Sequence, residues 1–215
     1  MFRIVCLLIG YAFGMFQTAY IVGKFSGIDI REHGSKNAGF TNTNRVLGIK
    51  KGAIVFFMDV LKAAAAFVVA TLIAQNVGLY AGGTFFYSRY VLPGLYAGFG
   101  AILGHCFPFY LKFKGGKGVA CVLGLIIMLD WRVMVISFAT GLVIVAITRY
   151  ISLTSLVITL LVPVLMFAFG YGYETVGLTA AIGVLIWFLH RENIKRLLSG
   201  GENKFSLTGG KKLEK

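Results

Sequence analysis

Gly34-Ser35-Lys36-Asn37-Ala38-Gly39-Phe40-Thr41-Asn42-Thr43-Asn44-Arg45 packs small residues, hydroxyls, amides and two cations into one stretch of chain. That mixture suits a phosphate. Glycines let backbone N–H groups converge on an anion, hydroxyls donate to it, and an arginine fork matches its oxygens. A second stretch, Lys112-Phe113-Lys114-Gly115-Gly116-Lys117-Gly118, sets glycines beside lysines and again allows close backbone approach to an anion, here at the start of a helix. It does not satisfy the GxxxxGK(S/T) pattern of a Walker A loop. A third, His190-Arg191-Glu192-Asn193-Ile194-Lys195-Arg196-Leu197-Leu198, places His190 and Asn193 three residues apart on one helix face, a proton acceptor and an amide among cations. Each stretch has a plain alternative: a hydrophilic loop, a basic turn, an amphipathic helix lying at lipid headgroups. Their joint presence in one apolar chain favours the phosphate reading.

Other polar residues stand inside apolar surroundings. Asp59 and Lys62, at i and i+3, can neutralise one another, and a structural ion pair is the simpler reading of them. Ser152 and Ser155 open an apolar segment, where a serine usually caps a helix; a phosphate contact at Ser152 is the secondary reading. His105 precedes Phe107-Pro108 and reads as structural. Cys6, Cys106 and Cys121 have neither CxxC spacing nor a histidine cluster, so they read as small packing residues. GxSxG, HExxH and metal-ligand patterns are absent, and no histidine has an aspartate five positions on. Neither a metal nor another cofactor is expected.

These residues sit in a chain that needs lipid around it. Of its 215 residues, 58% are hydrophobic and only 13% charged, with a mean hydropathy of +0.82. A soluble domain carries about a quarter charged residues. Seven apolar segments can be drawn, at 2–23, 53–75, 92–111, 118–130, 132–149, 152–170 and 175–190. A span needs about 20 residues. The segment 118–130 is short, and only Asp130-Trp131-Arg132 parts it from the next, so one bent or re-entrant element over 118–149 is the alternative to two spans. The expected fold is an all-α integral membrane bundle of seven helices, one transmembrane domain over residues 1–215. The first segment lacks a basic leader region and a small-residue cleavage site, and reads as a retained span.

The cations orient the bundle. With the N-terminus outside, 17 of the 21 Lys and Arg fall on one side, in 24–52, 111–118, Arg149 and 189–215, against Arg3, Arg89 and Arg132 on the other. The positive-inside rule then sets the C-terminus and all three polar stretches in the cytoplasm. The connection 76–91, with Tyr80, Phe85, Phe86, Tyr87 and Tyr90, reads as an interfacial belt on the outer side. A net charge of +13 in a soluble protein would raise nucleic acid as a partner; in short loops beside lipid it points to headgroups and phosphorylated precursors instead.

The order and spacing of the three stretches resemble the PlsY family of bacterial acyl-phosphate:glycerol-3-phosphate acyltransferases over nearly the whole chain. The likeness rests on Gly34-Ser35, Thr41-Asn42 and Arg45, on Asp59-Val60-Leu61-Lys62, and on Gly104-His105. It continues through Lys114-Gly115-Gly116-Lys117-Gly118-Val119-Ala120, Ser152-Leu153 and His190-Arg191-Glu192-Asn193-Ile194 with Arg196. Lys36 stands where that family usually has Gly, Phe40 where Ala is common, Cys121 where Thr is usual, and Asn44 at a commonly apolar place.

The resemblance implies transfer of an acyl group from acyl phosphate to the 1-hydroxyl of glycerol 3-phosphate, giving lysophosphatidic acid and phosphate for phospholipid synthesis. It implies a multi-pass protein of the bacterial inner membrane with its site on the cytoplasmic face. Besides both substrates and membrane lipid, an upstream acyl-phosphate-forming enzyme is a candidate partner. Ser35, His190 and Asn193 are the catalytic candidates. Thr41, Asn42, Arg45, Lys114, Gly115, Gly116, Lys117 and Ser152 are the phosphate-binding ones. The proton acceptor is either His190 or a substrate phosphate oxygen. A small transporter of phosphorylated metabolites is the rival function, although transporters place polar groups near the bilayer midplane and this chain gathers them on one face.

Overall fold

The computed structural model describes residues 1–77 and 91–206. The belt expected at 76–91 falls almost wholly outside them. The described residues form α1 (Phe2–Gly14), α2 (Thr18–Lys24), α3 (Phe40–Leu47), α4 (Ile49–Asn76), α5 (Leu92–Cys106), α6 (Val119–Leu129), α7 (Trp131–Thr148), α8 (Ile151–Ala168), α9 (Tyr173–Leu189) and α10 (Arg191–Leu198), with two short 3-10 turns. The fold is all-helical. Among the described residues four segments are long and apolar enough to cross a membrane, Phe2–Lys24, Ile49–Asn76, Trp131–Thr148 and Ile151–Ala168; α9 with α10, bent by 63°, makes a fifth if counted as one span.

Local chemistry explains where these helices break. The first segment parts at residues 15–17, where Gln17 Nε2 donates to the carbonyls of Gly14, Gly104 and His105. Lys62 Nζ donates to the Phe16 carbonyl at the same break, 2.8 Å away. Backbone groups released by the kink are thus satisfied inside the bundle, as a lipid-embedded helix requires. The expected segment 92–111 stops being α-helical at Cys106, because Pro108 restricts the residue before it and offers no N–H. Asp130, extended between α6 and α7, caps α7 through Arg132 N at 2.7 Å, so 118–149 forms two separate helices. The stretch 34–45, read as an open glycine loop, turns helical at Phe40; residues 40–45 offer a helix N-terminus instead of a nest.

α1 lies against α5 through small residues on both. Side chains at Gly10 or Gly14 would run into the backbone of Ala97 or Ala101, and at Gly100 or Gly104 into that of Leu7 or Tyr11. This small-residue seam brings the two backbones together, the way helices associate where lipid supplies no hydrophobic drive. α6, with 11 residues, spans about 16 Å, half a hydrocarbon core. It is nonetheless central: Cys121, Val122, Leu125, Ile126 and Leu129 are buried, and Gly124 meets the Val60 carbonyl of α4. Arg3, Glu174 and Tyr96 tie α1, α9 and α5 together at the end where these helices start. Asp130, Arg132 and Tyr171 do the same for α7 and α9. The opposite end carries the site.

Candidate active site at one end of the bundle

A cavity of about 510 Å³ opens between α3, α4, α6, α8 and α10. The first turns of α3, α6, α8 and α10 all line it, through Phe40-Thr41-Asn42, Gly118-Val119-Ala120, Ile151-Ser152 and Arg191-Glu192-Asn193. A helix start offers N–H groups without partners in its own helix and the positive end of a dipole. Four such ends facing one space favour an anion before any side chain is counted.

The side chains add to this. Lys36, Arg45, Lys117, Arg191 and Arg196 line the cavity against Asp59, Glu192 and Glu202. Lys117 Nζ donates to Asn193 Oδ1, and Asn193 Nδ2 donates to Glu202 Oε1 at 2.8 Å. The donor on one side and the carboxylate on the other fix which way the Asn193 amide points. Glu202 also accepts from Arg196 Nε at 2.8 Å. Burial, then the nearby Arg196 charge, pull the Lys117 ammonium down to about 8. His190 lies in the elbow between α9 and α10. Its Nδ1 is 2.8 Å from the Ile186 carbonyl and therefore carries the proton, leaving Nε2 as an acceptor. Burial first, and the Lys117 charge second, lower this imidazole to about 4, so it is neutral at physiological pH.

Of the residues singled out from sequence, Ser35, Thr41, Asn42, Arg45, Lys117, Ser152, His190 and Asn193 all reach the cavity. Ser152 is 7% exposed, and its Oγ has no hydrogen-bond partner among the described residues, so it can donate to an occupant. Asn42 differs from expectation. Its carboxamide accepts from Ser35 N and donates to the carbonyls of Ile30 and His33, so it holds the loop in shape and has little left for phosphate. Lys114, Gly115 and Gly116 do not line the cavity. Lys114 is exposed on the turn, while Gly115 N and Gly116 N are bound to the carbonyls of Cys106 and His105. Their glycines serve a close approach of chain to chain, with the backbone amides already spent.

Several cavity residues were not among the sequence candidates. Asp59 and His105 form part of the floor. Lys62 Nζ sits between them, 2.7 Å from Asp59 Oδ1 and 2.8 Å from His105 Nδ1, so the expected ion pair is present with a histidine added. Asp59, His105 and Cys121 offer ligand atoms within 4.8 Å of one another, a spacing that suits a metal, but the Lys62 ammonium already meets two of the three. Glu202, Asn203 and Phe205 also line the cavity. Phe205 is held by its N–H to the Arg149 carbonyl and by its ring 5.8 Å from that of Phe40, and Asn44 Nδ2 donates to the Ser206 carbonyl. Nothing in the sequence around Glu202 beyond its being an acid in a basic segment sets it apart. Beyond the polar groups, Phe56, Leu123, Val145, Ile158 and Leu189 give the cavity an apolar wall.

A cationic cavity with an apolar flank, set at one end of lipid-length helices, defines an integral membrane protein with a site for molecules that are part anion and part hydrocarbon. Residues 4–200 match the family model described as glycerol-3-phosphate acyltransferase, and the chain belongs to that family. It is 36% identical to the glycerol-3-phosphate acyltransferase of Aquifex aeolicus over 199 residues, 93% of this chain and 97% of that one. With the Rhizobium meliloti enzyme of the same description it shares 40% over 206 residues, covering 95% and 93%. Among solved structures it is similar to the crystal structure of PlsY (YgiH), an integral membrane glycerol 3-phosphate acyltransferase, in its glycerol 3-phosphate form. That likeness has a TM-score of 0.81 at 35% identity and covers 95% and 96% of the two chains. The lysophosphatidic acid form gives 0.78 at 34%, with the same coverage.

Proposed function

We propose that this membrane acyltransferase moves an acyl group from acyl phosphate to the 1-hydroxyl of glycerol 3-phosphate, releasing lysophosphatidic acid and inorganic phosphate. The observation that carries the reading is the mixed lining of the cavity. Four helix N-termini with Lys117, Arg45 and Arg196 share one space with the apolar side chains of Phe56, Leu123 and Ile158. An acyl phosphate joins an anion and a hydrocarbon within one molecule. Its mixed anhydride is already activated, so the protein has to position the reactants, neutralise the departing phosphate and let the hydroxyl lose its proton. Ser35, Thr41, Arg45 and Ser152 are assigned to the leaving phosphate. Lys117, Asn193 and His190 are assigned to glycerol 3-phosphate. A neutral His190 near 4 is a weak base, which favours a substrate phosphate oxygen as the proton acceptor.

The same reading takes the helices as seven crossings of the bacterial inner membrane, in one domain, with the N-terminus outside and the cavity facing the cytoplasm. The cation count and the placement of every catalytic candidate at one end of the bundle support it. An upstream enzyme that forms acyl phosphate is then a functional neighbour. The experiment is a donor comparison in detergent with purified protein. Acyl phosphate should yield phosphate and lysophosphatidic acid one for one, while acyl-CoA yields none. Transfer from acyl-CoA at a comparable rate would overturn the donor assignment.

A pH dependence follows from Lys117. Its folded value of about 8 lies below the 10.5 of the free side chain, so the cation is lost as pH rises through about 8. The expected result is a kcat/KM for glycerol 3-phosphate that falls about tenfold per pH unit above 8. The kcat should hold to higher pH, because a bound phosphate keeps the ammonium charged. Initial rates between pH 6.5 and 9.5 test this; a flat kcat/KM would remove Lys117 from glycerol 3-phosphate binding.

A further inference from the structure

The floor of the cavity contains a hydrogen-bond donor of defined orientation. An ammonium has three protons and no lone pair. Lys62 Nζ hydrogen-bonds the Phe16 carbonyl and His105 Nδ1, each at 2.8 Å, and forms an ion pair with Asp59 Oδ1 at 2.7 Å. His105 Nδ1 must therefore accept, and the imidazole proton sits on Nε2. Asp59 Oδ1 also lies 3.5 Å from Nδ1, too far to share a proton with it. The His105 carbonyl accepts from Gln17 Nε2 and Gly116 N, so the ring and its backbone are both fixed.

Nε2 is the one polar atom of His105 left to face the cavity that the residue helps to line. Residue 116 packs against it. Any side chain there would run into His105 Nε2 and the Ala38 carbonyl, so glycine is what lets the imidazole stand in this place. His105 lines the same cavity as Lys117, Phe56 and Leu123. The carbonyl of an acyl phosphate stands between its phosphate and its chain, so a cavity that takes both must hold it as well.

The geometry points to His105 as a catalytic residue that donates its Nε2–H to the acyl carbonyl oxygen, an inference that rests on the acyl-transfer reading above. The glycerol C1 oxygen attacks the carbonyl carbon and forms the new C–O bond while the carbonyl π electrons move onto oxygen. His105 stabilises that oxyanion without giving up its proton. Collapse restores the C=O and breaks the bond to the phosphate oxygen, which leaves with the electron pair and takes the hydroxyl proton. Asp59 and Lys62 act through His105 as positioning residues that hold its tautomer. A preorganised donor aimed at a developing oxyanion is worth about 10²–10³ in rate.

The test combines turnover with a spectroscopic reading. His105→Leu should lower kcat about 10²–10³-fold, with KM for glycerol 3-phosphate within threefold. His105→Gln, whose amide N–H reaches the place of Nε2, should stay within tenfold of wild type. In the wild-type protein, isotope-edited infrared spectroscopy of a bound, non-transferable acyl phosphonate carrying a ¹³C carbonyl should show the C=O stretch below its value in an apolar solvent. A stretch equal to the apolar-solvent value overturns the proposal, whether or not the variants fold. So does an equal kcat for His105→Leu and wild type. If the wild type transfers from another acyl donor and not from acyl phosphate, the donor assignment falls by itself, and the His105 pattern is read with the donor that works.

Discussion

Lys117→Met lowers kcat/KM for glycerol 3-phosphate by about 10²–10³-fold while the protein still folds. The size follows from position. Lys117 precedes α6, where the helix dipole already favours an anion, and its ammonium binds Asn193, which is bound in turn to Glu202. Methionine keeps the length of the side chain and removes the charge. It also leaves Asn193 Oδ1 without its donor, so one change strips the glycerol 3-phosphate side of a cation and of a fixed amide. Packing suffers little, because the Lys117 head lies in the cavity and not in the core. Rates on detergent-purified variant, beside its unfolding temperature, separate the two effects. Activity within threefold of wild type would show that the cations across the cavity are enough without it.

Asp59→Leu destabilises the fold by about 3–5 kcal/mol, the cost of stranding a buried charge. Lys62 and Asp59 have side chains 5% and 2% exposed, inside the longest helix of the bundle. Without the carboxylate, the Lys62 ammonium keeps the Phe16 carbonyl and the His105 ring as partners and loses its counter-charge. Adding Lys62→Met should restore most of the loss, since removing both charges avoids the desolvation that one alone incurs. Thermal unfolding in detergent of the single and double variants is the measurement. If the double variant is no more stable than Asp59→Leu, the pair is not held by its charges. A restored double variant should still turn over slowly, because its His105 proton is no longer confined to Nε2.

Much of this was legible in the sequence, for physical reasons. Apolar runs near membrane length leave a chain few options but helices. The i, i+3 spacing of Asp59 and Lys62 already implied mutual neutralisation, and the density of Gly, Ser, Asn and Arg in 34–45 marked a stretch that lines the cavity. The motif order carried the family. Side-chain assignments were less legible where a residue type serves two ends. Asn42 and Ser35 both carry groups that suit phosphate, yet only the fold reveals that the Asn42 amide is spent on its own loop. Lys114 and Lys117 are three residues apart in one basic turn. The αL turn at Lys112–Phe113 and the Gly115 and Gly116 bonds to α5 leave Lys114 outside and aim Lys117 inward. His105 looked structural because its partners, Lys62 and Gly116, come from distant parts of the chain. Glu202 and Phe205 were missed for the same reason: nothing local in 201–206 says that the segment returns to Asn193, Arg149 and Phe40.

The most direct measurement is an experimental structure of this protein with glycerol 3-phosphate bound. The phosphate is expected inside the cavity, its oxygens at charge-assisted hydrogen-bond distance, about 2.7–2.9 Å, from Lys117 Nζ, with the glycerol C1 hydroxyl turned toward the floor at His105. A phosphate bound elsewhere, with Lys117 and Asn193 still paired only to each other, would contradict the account.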